Sequence, residues 1–208
     1  MQIACLLLLI VTFSIATAVI NSDDFNAAII HSGFQNPSNE IYGYFNAVTS
    51  DFHQDEAAMF LAQLLHESAG FKFVEEIACK KTKCPDKYID KVGLPGKYYY
   101  GRGYIQLTWG RNYKEASKGL GLGDRLLEDP DLVASDKNLS MQVSSWFWMK
   151  NVRPRIKKHP NQFGITTRAI NGGECRKYPE RAKKRWDIYR KIAELLNVEM
   201  AAESGCYN

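Results

Sequence analysis

The chain is short of several things, and each shortage excludes something. Beyond residue 18 it has no apolar run of spanning length, so a soluble protein with no membrane partner is expected. Strong strand signals are scarce, which leaves a mainly α class. No internal repeat is visible. Charge of neither sign dominates: 27 Lys and Arg stand against 23 Asp and Glu. The basic residues spread over 80–91, 150–158 and 176–191 without forming one block or interleaving with aromatics, so no nucleic-acid partner is expected. Histidines number only four. His66-Glu67 begins the zinc pattern His-Glu-x-x-His, yet Gly70 stands at its last position, so no metal and no cofactor are expected.

Residues 1–18 are apolar at their centre and end in Ala16-Thr17-Ala18, a small-x-small cleavage pattern. No Lys or Arg precedes that centre. The reading is a secretory leader over 1–18, then a single domain over 19–208 that is secreted and monomeric. Its roughly 190 residues suffice for one real core, and the mixed charge and plentiful aromatics argue against disorder. Cys5 leaves with the leader, and Cys79, Cys84, Cys175 and Cys206 remain on an oxidising route. Three pairings are open to them. Cys79–Cys84 would close a short loop, and Cys175–Cys206 would tie the C-terminal tail to the body. Asn138-Leu139-Ser140 is a glycosylation sequon.

The stretch Phe60–Glu76 begins as an apolar helix and ends in an acidic cluster. Ala57, Leu61, Leu64 and Leu65 recur at helical steps and give one burying face. Asp51 or Asp55 is positioned to cap its start, and Gly70 offers a left-handed stop. Glu67 then lies in the last turn, where unpaired carbonyls disfavour a second negative charge and raise its pKa. That suits a proton donor. Nine residues on lies Glu76, beside Glu75. Two carboxyls on either side of a turn are what an acid/base pair needs.

Other helices are expected over Phe25–Ile30, Ile41–Thr49, Tyr113–Leu120, from Asp136 to about Met149 with Pro154 beyond its end, Phe163–Ile170 and Glu180–Val198. The segment 77–97 reads as loop, with a helical turn at Asp86–Val92. In Lys97–Tyr113, Gly101 and Gly103 bracket Arg102. Gln106, Thr108 and Asn112 then alternate with Ile105, Leu107 and Trp109, so the polar groups share one side of an extended segment. Amides and hydroxyls beside aromatic rings suit sugar recognition. The aromatics around Trp146 are read as core.

Four blocks carry a resemblance: Phe60–Glu76, Tyr100–Tyr113, Asp129–Met149 with its Trp146-Phe147-Trp148-Met149 centre, and Asn171–Val198. Together and in this order the chain resembles glycoside hydrolase family 19, the chitinases of plants and bacteria. The resemblance implies a lysozyme-like, two-lobed α-helical fold with a substrate cleft and little β structure. It also implies endo-hydrolysis of the β-1,4 linkages of chitin with inversion. Glu67 falls on the general acid within a His-Glu-Ser motif. Glu76, in Glu75-Glu76-Ile77, matches the general base of short-loop members. Thr108 takes the place of the Ser that holds the attacking water. His66, Gln106, Asn112 and Asn171 match substrate-binding positions. Glu174 and Arg185 match a charged pair around the acid, and Arg185 is also placed to contact substrate and to hold Glu76 ionised. Arg111 stands where plant members usually carry Tyr, and Tyr104 where they carry Pro. The alternatives are a muramidase acting on peptidoglycan, which shares an amino-sugar backbone, and a chitin-binding defence protein without turnover.

Overall fold

Asn21 opens the first helix: its side chain accepts a hydrogen bond from the Asp24 amide and satisfies a group the helix leaves free. The computed structural model describes residues 18–207, so the expected leader lies, apart from Ala18, outside the described residues. Helix α1 spans Ser22–His31 and α2 spans Asn39–Val48. Phe25 of α1 packs on Tyr42 and Phe45 of α2.

Helix α3, Gln54–Ser68, is the axis of the molecule. The expected single burying face is too narrow a description, because every residue from Ala57 to Leu65 is buried. A helix enclosed on all sides needs apolar residues all round. Phe60 meets Phe45, Phe52 and Trp148. On another side α3 lies along the last helix. Neither expected aspartate caps it: the cap position is His53, and Asp51 instead pairs with Arg153 at 2.9 Å. The left-handed stop falls one residue early, on Ala69, and Gly70 and Phe71 are left-handed too. Ser68 makes that turn tenable. Its hydroxyl donates to the Leu64 carbonyl at 2.6 Å and accepts from the Phe71 amide at 2.8 Å.

One helical turn, α4 (Ile77–Lys80), follows, and 81–97 is a run of turns and bends that includes 86–92, where a helical turn was expected. Cys79 and Cys84 are joined. Among the described residues no strand forms, only isolated bridges such as Arg102 to Leu107. Helix α5 is Gly110–Gly119, starting earlier than the pattern predicts. Short helices α6 (Arg125–Glu128) and α7 (Leu132–Ser135) follow. Asp136 caps α8 (Lys137–Phe147) by accepting from the Leu139 amide. The helix does not end before Pro154. It widens into a π-turn at Trp148–Val152 and continues as α9 (Arg153–Ile156), with Pro154 at its second residue. Then come α10 (Gly164–Asn171), α11 (Glu174–Lys177) and α12 (Pro179–Leu196). Cys175 of α11 is joined to Cys206. Of the three connectivities open to these four cysteines, the structure selects the one that joins Cys79 to Cys84 and Cys175 to Cys206.

Candidate active site

Two neighbouring glutamates, Glu75 and Glu76, meet different partners. The segment is nearly extended there, so successive side chains leave on opposite sides. Glu75 accepts from the Tyr100 hydroxyl at 3.0 Å and pairs with Lys80. Glu76 enters a groove of about 720 Å³ that also receives Glu67 from the last turn of α3. There it accepts from the Tyr88 hydroxyl at 3.0 Å and the Gly101 amide at 3.3 Å.

Glu67 is held from behind. Arg185 of α12 is fully buried and donates to Glu67 at 2.5 Å, to Glu174 at 2.7 Å and to the Gln63 side chain at 2.7 Å. Gln63 in turn donates to Thr166 and Thr167 of α10. Burial pushes the Glu67 carboxyl up, the Arg185 charge and hydrogen bond pull it down, and Glu174 pushes it up again. Burial prevails, so Glu67 keeps its proton above the ordinary glutamate value. With no exposed surface, Arg185 cannot meet a ligand in the groove, nor does it bond Glu76. The expected contact with substrate is corrected: Arg185 lies on the buried side of α12 against α3, with its hydrogen bonds spent on Glu67, Glu174 and Gln63.

The polar residues of 106–112 reach the groove by a different route from the one expected. The segment is no pleated strand. Arg102 and Leu107 exchange backbone hydrogen bonds around a tight turn, and Gln106 and Trp109 are both left-handed. Gln106, Thr108 and Asn112 still line the groove together. Gln106 donates its amide N–H to the Gly103 carbonyl and Asn112 to the Thr108 carbonyl. Asn171, at the end of α10, donates to Glu174 at 3.1 Å. Each amide is anchored through nitrogen, which leaves its oxygen to accept from a ligand hydroxyl or N–H. The Thr108 hydroxyl donates to the Gln106 carbonyl at 2.8 Å, so its own oxygen is left as an acceptor.

His66 is not among the residues lining the groove. It lies by Arg185, Lys184 and Arg181, and burial followed by those charges lowers its pKa to about 3, so it is neutral at physiological pH. Sequence reasoning passed over Gln63, Tyr88, Phe147 and Arg181. A glutamine inside an apolar helical run was a usable signal for Gln63. Tyr88 and Arg181 carried none, because only the folded loop and the packing of α12 bring them to the groove. Phe147, read as core, lines the groove, whereas Trp148 beside it is fully buried. No cluster of three or more His, Cys, Asp or Glu suited to a metal occurs among the described residues.

The family described as Chitinase class I, glycoside hydrolase family 19, matches residues 13–161. The chain belongs to glycoside hydrolase family 19. Glu67, Glu76 and Thr108 fall inside the matched span, whereas Asn171, Glu174 and Arg185 fall beyond it. An endochitinase of Arabidopsis thaliana is 42% identical over 163 residues, covering 78% of this chain and 55% of the relative. Chitinase 4 of Oryza sativa subsp. japonica is 34% identical over 176 residues, 83% of this chain and 60% of its own length. The chain thus spans little more than half the length of these curated family 19 relatives. Among solved structures, chitinase C from Streptomyces griseus superposes with a TM-score of 0.71 at 26% identity, covering 89% of this chain and 79% of that one. The class IV family 19 chitinase of Zea mays gives 0.62 at 30% identity, covering 89% and 86%. The fold is the mainly α, lysozyme-like fold of family 19.

Proposed function

We propose that this chain is a secreted, endo-acting glycosidase that cleaves the β-1,4 linkages of chitin by single displacement with inversion. In this reading residues 1–18 are its leader and 19–208 its single catalytic domain, which works as a monomer. The observation that carries the reading is that Glu67, whose pKa burial raises, and Glu76, hydrogen-bonded by Tyr88 and the Gly101 amide, line one polar groove. Glu67 gives its proton to the glycosidic oxygen as that bond breaks. Glu76 takes a proton from a water on the opposite face of the sugar, and the water oxygen bonds to the anomeric carbon. The Thr108 proton is committed to the Gln106 carbonyl, so Thr108 accepts a hydrogen bond from the water's other O–H, which turns a lone pair of the water toward the anomeric carbon. The free carbonyl oxygens of Gln106, Asn112 and Asn171 suit the hydroxyl and acetamido N–H donors of chitin. The Arabidopsis and rice relatives are named as chitinases, which supports the same substrate.

A second reading, a muramidase acting on peptidoglycan, is favoured by Arg111 and Arg181 in the groove, whose guanidinium groups suit a polymer bearing carboxylates. Parallel assays on glycol chitin and on bacterial walls separate the two. The test of the chemistry is Glu67→Gln. It abolishes release of soluble sugars from colloidal chitin while chitooligosaccharide binding, followed by calorimetry, persists. Retention of wild-type turnover by that variant would remove Glu67 from its role.

A further inference from the structure

We propose that Tyr88 is a positioning residue for Glu76, and that Asp90 is the clamp that brings Tyr88 to it. The inference rests on the acid/base reading above. The segment 81–97 contains no helix, so nothing regular holds Tyr88 in the groove. Asp90 does it instead. One carboxylate oxygen accepts from the Val92 and Gly93 amides at 3.0 and 2.8 Å, and the other accepts from the Arg111 amide at 2.8 Å. Burial alone would push the Asp90 carboxyl up, but the three amides and the Arg111 charge hold it below the ordinary aspartate value. It is therefore an ionised knot between the loop and the first turn of α5, close to Thr108, Trp109 and Asn112. Gly110 permits the approach, since a Cβ there would meet the Asp90 carboxylate and the Gly93 backbone at 2.8 Å.

Held this way, Tyr88 packs edge-on against Trp109 with ring centroids 5.5 Å apart. Its hydroxyl donates to one oxygen of Glu76 while the Gly101 amide meets the other. The carboxylate is gripped at both oxygens, which fixes the plane it presents to a water. Burial, then the hydrogen bond and charge of Glu76, push the Tyr88 phenol up to about 12, so it remains a neutral donor wherever the enzyme works. Its backbone is left-handed, φ 57, a conformation a bulky residue keeps only where surrounding contacts impose it.

The experiment is steady-state kinetics on a chitin hexasaccharide, with thermal melting, for wild type, Glu76→Gln, Tyr88→Phe, Asp90→Asn and the Tyr88→Phe/Asp90→Asn double variant. Tyr88→Phe keeps the ring against Trp109 and loses only the donor. Its kcat falls about tenfold with KM within about twofold and an unchanged Tm, the pattern of an interaction that acts at the chemical step. Asp90→Asn shows the same split, and the double variant loses no more than the worse single one, because both act through Glu76. Wild-type kcat in Tyr88→Phe overturns the inference, as does a rise in KM with a lower Tm. Losses that multiply in the double variant overturn the clamp. An active wild type with an inactive Glu76→Gln leaves the acid/base reading standing whatever Tyr88 does. An inactive wild type, or an active Glu76→Gln, ends both.

Discussion

Arg185 carries one charge and bonds two carboxylates, those of Glu67 and Glu174. How that charge is shared decides how readily Glu67 gives up its proton. Replacing Glu174 by Gln removes a repelling charge and leaves more of Arg185 to Glu67, both of which favour the carboxylate. The alkaline limb of the pH–kcat/KM profile therefore moves to lower pH in Glu174→Gln, by about one unit on the scale of such neighbour effects. An unmoved limb would mean that Glu174 does not act on Glu67. The same shift has a sign for stability. Because the folded value of Glu67 lies above the ordinary 4.5, the folded state holds the proton longer. The stability this group contributes is fully present below pH 4.5 and is lost as pH rises through the folded value. At this scale the sequence was legible in part. The helix-end setting of Glu67 and the short spacing to Glu76 could be read, and Gln106, Thr108 and Asn112 were picked out. The extended geometry assigned to those three was not right, because the turn at 103–106 depends on left-handed backbone at a glutamine, which no pattern announces.

The elements are held in place by their ends. The C-terminal tail docks on the start of α10: the Phe163 amide donates to the Ala202 carbonyl at 2.8 Å and the Gly164 amide to the Ser204 carbonyl at 3.0 Å. Arg168 donates to the Cys206 carbonyl, and the Cys175–Cys206 bridge closes the unit. A Cβ on Gly164 would lie 2.6 Å from the Ser204 carbonyl oxygen and 2.7 Å from the Cys206 nitrogen, all backbone with nowhere to retreat. Gly164→Ala accordingly costs about 1–3 kcal/mol in a denaturant titration and exposes the tail to protease. An unchanged midpoint would show that the tail contributes nothing to α10. Helix existence was readable at nearly every long element, from caps at Asn21 and Asp136 to the apolar spacing of α12. Boundaries were not, where tertiary contacts overrode local signals. The π-turn before Pro154 continues a helix that proline was expected to end, with Trp148 donating from its indole to Glu56 and Arg153 donating to the same carboxylate.

At the scale of the whole molecule, everything is hung on α3. Phe60 stands where the rings of Phe45, Phe52 and Trp148 converge, drawing α2, the 49–53 turn and the π-turn onto one point. Phe60→Ala leaves a cavity that three separate elements would have to move to fill, and costs about 3–5 kcal/mol. Against a total stability of about 5–15 kcal/mol, that variant melts far below wild type or does not accumulate folded. A near-native melting temperature would show that the aromatic cluster is not the keystone. Hydrophobic spacing and turn residues settle local matters, and these were written in the chain: a mainly α protein and a carboxyl at the end of the central helix. Which of two adjacent glutamates enters the groove, whether Arg185 faces the groove or backs Glu67, and which tyrosine grips Glu76 depend on contacts between residues as far apart as Glu67 and Arg185, 118 positions. Such contacts leave no periodicity in a sequence, and only packing α12 against α3 and folding the 81–97 loop onto α5 decides them.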